Sequence, residues 1–182
     1  EEGILRGRYL LRAGGGTGPR VQLMGSGAIL REVLAGADLL RDDYGVVADV
    51  WSATSFTELR RDGLEVERWN RLHPTEAPRL SYVERMLADR DGPVVAATDY
   101  IRTFADQIRP FIRGDFHVLG TDGFGRSDDR PELRRFFEVD RHHVAATALW
   151  ALALDGTIDP AMAAGAISKY DIAPEAVAPW RK

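Results

Sequence analysis

Gly25-Ser26-Gly27 stands between the apolar run Val21 to Met24 and a helical stripe beginning at Leu30, a place where unpaired amides and a helix dipole favour an anion. Asp49 follows at about the distance of the ribose-binding acid in dinucleotide folds. The glycine fingerprint is incomplete, however: its third glycine would fall at Leu30, and Asp49 lies inside a predicted strand rather than at its end. Gly25, Ser26 and Gly27 are therefore candidates for a weak anion site, and small residues are needed in any strand-to-helix turn of this class. Ser26 is not a nucleophile of the elbow type, which needs glycine where Met24 and Ala28 stand. His73, His117, His142 and His143 form neither H-x-x-x-H nor H-E-x-x-H. Adjacent His142 and His143 are expected on different sides of a helix, where they cannot easily share a metal. The absence of cysteine excludes disulfides, thiolate nucleophiles and cysteine-ligated metals.

The most unusual stretch is Leu119 to Arg130, where Gly120, Gly123 and Gly125 surround Phe124. Such glycines suggest backbone conformations that other residues resist, with Phe124 anchored on apolar surface and Ser127 to Asp129 available to cap the next helix. Asp122, Gly123, Phe124, Gly125, Arg126 and Ser127 are candidates for a rigid loop at a domain or subunit interface, a reading favoured over a catalytic one.

These residues must be positioned by alternating strands and helices. Tyr9 to Leu11 reads as a short strand, and Gly14 to Pro19 as a linker, so residues 1–20 are expected to be an extension and 21–182 the domain proper. Val21 to Met24 is a strand, Leu30 to about Tyr44 a helix, and Val46 to Trp51 a second strand, an arrangement favouring parallel pairing. Ser55 with Glu58 has the form of a capping box; Gly63 should stop that helix, and another should run through Trp69 to before Pro74. Ser81 with Glu84 repeats the box. Val94 to Ala97 is the third strand, Tyr100 to Ile112 a helix disturbed by Pro110, and Phe116 to Leu119 the fourth strand. Helices follow near Pro131, from Arg141 to Leu154, and from Asp159-Pro160 to Tyr170, with Ile172 to Lys182 as an extended strap. The rhythm predicts an α/β fold, a three-layer α/β/α sandwich with a mostly parallel sheet of about five strands.

The charged fraction is 29% with a formal net charge of -4, and arginines alternate with acids, which argues for solvated faces and against nucleic-acid binding. No apolar run approaches the roughly 20 residues of a membrane helix. The opening Glu1-Glu2-Gly3-Ile4 reads as a cut from a longer chain.

The stretch Gly120-Thr121-Asp122-Gly123-Phe124-Gly125-Arg126-Ser127-Asp128, followed by Leu133 to Asp140, resembles the end of the homodimeric bacterial pyruvate dehydrogenases. Gly25 to Val33, Asp49 to Ser52, Glu58 to Gly63, Glu67 to Asn70 with His73-Pro74, Thr98 to Tyr100 and Gln107 to Pro110 resemble the same region in order. Asp129, where Thr is expected, and Trp150, where a charged residue is usual, depart from it. The resemblance implies a transketolase carboxy-terminal-like domain of a cytoplasmic oxidoreductase that uses thiamine diphosphate and magnesium to decarboxylate pyruvate. That enzyme passes the acetyl unit to a lipoyl group of dihydrolipoyl acetyltransferase. Its cofactor motifs, G-D-G with a later N-N pair, are missing here: Asn70 is the one Asn in the sequence, and Thr121 rather than Gly precedes Asp122-Gly123. No catalytic, cofactor or metal residue is therefore expected in this stretch, which alone should be inactive. Its partners would be the preceding domains, the homodimer mate and the acetyltransferase. Two other readings compete: a free-standing module binding a nucleotide or anion at Gly25 to Gly27, and a docking module for the acetyltransferase.

Overall fold

The computed structural model describes residues 1–181. In chain order it contains α1 (Glu2–Leu5), β1 (Arg8–Arg12), β2 (Arg20–Gly25), α2 (Leu30–Tyr44), β3 (Val47–Ala53), α3 (Phe56–Leu72) and α4 (Tyr82–Leu87). Next come β4 (Val94–Ala97), α5 (Arg102–Asp106), β5 (Phe116–Leu119), α6 (Arg130–Phe136), α7 (Arg141–Leu154) and α8 (Pro160–Lys169). The sheet order is β1-β3-β2-β4-β5; β3, β2, β4 and β5 are parallel neighbours and β1 joins β3 antiparallel. The expected α/β architecture with five strands is thus the observed one. β1 lies within residues 1–20 and is the edge of this same sheet.

Strand alternation divides the core into two layers. Val21, Leu23, Val50, Val95 and Ala97 meet Val33 and Leu40 of α2 and Val144, Leu149 and Leu152 of α7. Met24, Trp51, Val94, Ala96 and Phe116 meet Leu59 of α3, Val83 of α4 and Ala105 of α5. Both faces of the parallel strands are buried, which explains why β3 is buried at every position.

Local signals place several helix ends. α2 stops at Gly45, which has φ 64°, and the amides of Gly45 and Val46 return to Arg41 and Leu40, closing the last turn. Ser81 and Glu84 form the full reciprocal box at α4. Asp129, Asp140 and Asp159 each accept a backbone amide at the start of α6, α7 and α8.

Three expectations require correction. Gly63 does not end a helix: α3 continues through it, and the glycine serves packing instead, since a Cβ there would stand 2.5 Å from the ring of Phe111. The expected helix from Tyr100 to Ile112 is only the five-residue α5 followed by a tight turn over Arg109–Phe111. Pro110 lacks the amide a continuing helix requires. The terminal strap ends in a 3-10 turn over Pro179–Arg181 rather than remaining extended, and its last residue, Lys182, lies outside the described residues.

Candidate functional site

In doubly wound sheets a crevice opens beyond the carboxyl ends of the strands where their order reverses, here between β2 and β4. A cleft of about 250 Å³ lies there, lined by Ala28, Ile29, Asp99, Thr121, Arg130 and Leu133, among others. Gly25 serves packing: a Cβ on it would stand 2.7 Å from the Cα of Leu30. The Ser26 amide is taken by the carbonyl of Ala97 at 3.2 Å. Gly27 has φ 56°, and the Asp99 carboxylate lies 3.3 Å from where its Cβ would be. A carboxylate facing the turn repels the anion that the sequence pattern invites. Arg134, on the other wall, donates to Glu32 at 2.8 Å and is already neutralised.

Asp49 is not placed to meet a ribose. It is 1% exposed and accepts from the Gly14 amide at 2.8 Å, Arg90 at 3.1 Å and Gln22 at 3.2 Å. Gln22 accepts in turn from the Trp51 indole at 2.9 Å. This buried network fastens the glycine-rich segment to the sheet. Glu32 plays a similar part between helices, accepting from Arg141 at 2.9 Å and Arg134 at 2.8 Å while 4% exposed. Burial pushes its pKa up, but hydrogen bonds from Arg141 outweigh that and hold it below the usual value. Neither role was visible in the sequence, because the partners lie far along the chain.

The glycine loop joins α5 to the chain's last turn. Asp122 accepts the Arg102 amide at 3.0 Å, and the Arg102 guanidinium lies 4.5 Å over the Trp180 ring. Gly123 has φ 90°, and a Cβ on it would meet the Trp180 Cα at 2.9 Å. Gly120 presses on the carbonyl of Tyr100, whereas Gly125 has nothing within 4 Å of a Cβ. Arg126 lies 4.1 Å over Phe136. Ser127 caps nothing; Asp129 does. Phe124 is 87% exposed, not anchored on apolar surface as expected, because the turn at Gly123 aims it outward. Tyr100, Ile101 and Phe104 are also exposed, with Tyr100 and Phe104 stacked at 5.1 Å. The Thr121 amide donates to the Tyr100 carbonyl, which brings loop and aromatic pair together.

The histidines do not converge on one centre. His73 stacks on Trp69 at 4.3 Å, and His117 meets Trp150 edge-on at 4.7 Å. His142 and His143 both approach Asp140, at 3.6 and 2.7 Å, because Asp140 caps the helix that carries them. Among the described residues no group of three His, Cys, Asp or Glu could hold a metal. Asn70 is engaged with the main chain of Arg79. These residues do not fit a magnesium diphosphate group.

The family model of the transketolase-like TK C-terminal domain matches residues 7–140. The chain is 59% identical over 177 residues to the pyruvate dehydrogenase E1 component of Pseudomonas aeruginosa, covering 96% of this chain and 20% of that protein. It is 51% identical over 180 residues to the E1 component of Escherichia coli, covering 98% of this chain and 20% of that one. A transketolase from Pichia stipitis superposes with a TM-score of 0.56 at 19% identity, over 84% of this chain and 19% of that one. A transketolase from Leishmania mexicana superposes with a TM-score of 0.53 at 18% identity, over 82% and 18%. At such identities the structural likeness speaks for the fold.

Proposed function

The chain belongs to the family of transketolase-like carboxy-terminal domains, and we propose that it serves as that domain in a pyruvate dehydrogenase E1 component. Its identity of 59% across 96% of its own length supports this reading, while it spans 20% of that relative. In such an enzyme thiamine diphosphate with magnesium would supply the electron sink for pyruvate decarboxylation, bound by the preceding domains. The present residues would instead pack on those domains and extend the homodimer interface. The finished acetyl group would pass to dihydrolipoyl acetyltransferase in the cytoplasm.

The observation carrying the interface role is the uncovered face of Tyr100, Ile101, Phe104 and Phe124 beside the glycine loop. Large apolar side chains gathered on one surface mark a contact with another protein surface. The test is Tyr100→Glu with Phe124→Glu in the full-length enzyme, read by sedimentation and limited proteolysis. A shift toward monomer or faster cleavage between domains is expected; an intact, equally resistant dimer would sink the interface role.

A further inference from the structure

β5 is the free parallel edge of the sheet, and Phe116, His117, Val118 and Leu119 line a groove of about 540 Å³. Arg102, Asp106 and Arg109 border it from one helical layer, and Thr147 and Trp150 of α7 from the other. The Val94 and Thr98 amides donate to the carbonyls of Asp115 and Leu119, at 2.9 and 3.1 Å. Odd-numbered residues of β5 therefore turn their main chain toward β4, and Phe116 and Val118 turn theirs toward the groove. The Phe116 carbonyl accepts from Arg109 at 2.6 Å. The Phe116 amide and both main-chain groups of Val118 have no protein partner among the described residues.

One side-chain atom of the same groove, Nε2 of His117, is buried without a hydrogen-bond partner among the described residues, whereas Nε of Arg102 faces the Asp122 carboxylate at 3.4 Å. Buried polar atoms in native proteins are ordinarily satisfied, so the His117 nitrogen, together with the free main-chain groups of Phe116 and Val118, points to something that arrives from outside. Trp150 and Trp180, 48% and 47% exposed, also line the groove. Free main-chain groups give an added strand its affinity, and aromatic walls select its side chains.

The groove's width and charge narrow the occupant. β5 is recessed between two helical layers, so flat edge pairing with a second copy would press the Arg109 and Trp150 walls of both copies together. A single inserted strand avoids this. Arg102 and Arg109 already face Asp122 and Asp106, at 3.4 and 2.6 Å, while Asp115 and Glu138 form no ion pair among the described residues. The unbalanced charge is negative, so the complement carries Lys or Arg.

We infer that β5 accepts an added strand from the remainder of the same polypeptide, resting on the proposal above that this chain is one domain of a longer E1 component. The strand is extended and basic, with one large apolar side chain against Trp150 and Trp180. A chain that spans 20% of its relative leaves ample sequence to provide it.

The test places p-benzoylphenylalanine at Trp150 in the full-length enzyme, followed by irradiation and peptide mapping. One dominant adduct to a Lys- or Arg-bearing peptide outside residues 1–182 of the same sequence is expected. Val118→Pro removes an amide that does not bond to β4, and it should lower the adduct yield about ten-fold or more. Adducts confined to residues 1–182, adducts to a different protein, or no adduct would overturn the inference. A native chain no larger than 20.2 kDa would overturn both this and the domain assignment, whereas a longer native chain with an empty groove would overturn this alone.

Discussion

Gly123 lies against the main chain of Trp180, so close that a Cβ on it would stand 2.9 Å from the Trp180 Cα. Its φ of 90° is also one that side chains resist. Gly123→Val should lower domain stability by about 2 kcal/mol or more through both effects. Gly125→Val, with open space around it, should change stability by less than about 0.5 kcal/mol. Paired thermal melts decide this, and equal melting temperatures for the two variants would contradict the contact.

Gly63 sits inside α3, where alanine would ordinarily stabilise an exposed helix by about 1 kcal/mol. The Phe111 ring occupies the Cβ position at 2.5 Å, so packing opposes propensity. Because both groups are buried, the clash dominates, and Gly63→Ala should be destabilising by about 1–3 kcal/mol. Chemical denaturation with an unchanged slope is the measurement.

Glu32 is the common acceptor for Arg134 on α6 and Arg141 on α7. Glu32→Ala leaves two guanidinium groups without their carboxylate, though the Arg141 side chain is 47% exposed and finds water readily. The expected loss is about 2 kcal/mol, below that for a fully buried pair. Amide hydrogen exchange should rise first where α6 and α7 adjoin α2.

Asp140 gives a pH dependence with a definite sign. Burial pushes its pKa up, but hydrogen bonds from His143 outweigh this and lower it to about 2. A carboxylate depressed in the folded state stabilises above its unfolded value, and that stability is lost as pH falls from about 4 toward 2. The contribution is roughly 2 kcal/mol, and Asp140→Ala should remove the dependence together with the helix cap. Denaturation midpoints measured across that range for both proteins test it; parallel curves would exclude this role.

Arg8 is wholly buried, its guanidinium 4.0 Å over the Trp51 ring, with Nε and one terminal nitrogen without a hydrogen-bond partner among the described residues. Burial lowers its pKa to about 9. The ring contact stabilises by about 2 kcal/mol, less than the several kcal/mol cost of desolvating a lone charge. Arg8→Met should therefore raise stability, by about 1 kcal/mol or more. A lower melting temperature would show that the stacked cation is the stronger effect.

Much of the architecture was legible because its causes are local. The Asp140 cap and the apolar face of α7 lie within one segment, and that helix begins and ends where its spacing predicts. The alternation in β2 likewise separates Leu23 from Met24 onto opposite layers. The candidate site was less legible. The glycine loop was recognisable by composition, yet its seat for Trp180 depends on residues more than fifty positions later. Trp150 stood out only as a departure from the resembling family, and its place beside the β5 edge required the assembled layers.

The sequence by itself determined the order of the five strands, the parallel α/β class and the family resemblance, since periodicity, caps and turn residues act over a few positions. Tertiary structure decided that α3 runs through Gly63, that Asp49 is a buried fastening, that Asp99 faces Gly27, and that β5 lies free in a groove. Each depends on a partner distant in sequence, and such partners meet only when the whole core packs at once, so no local pattern records them.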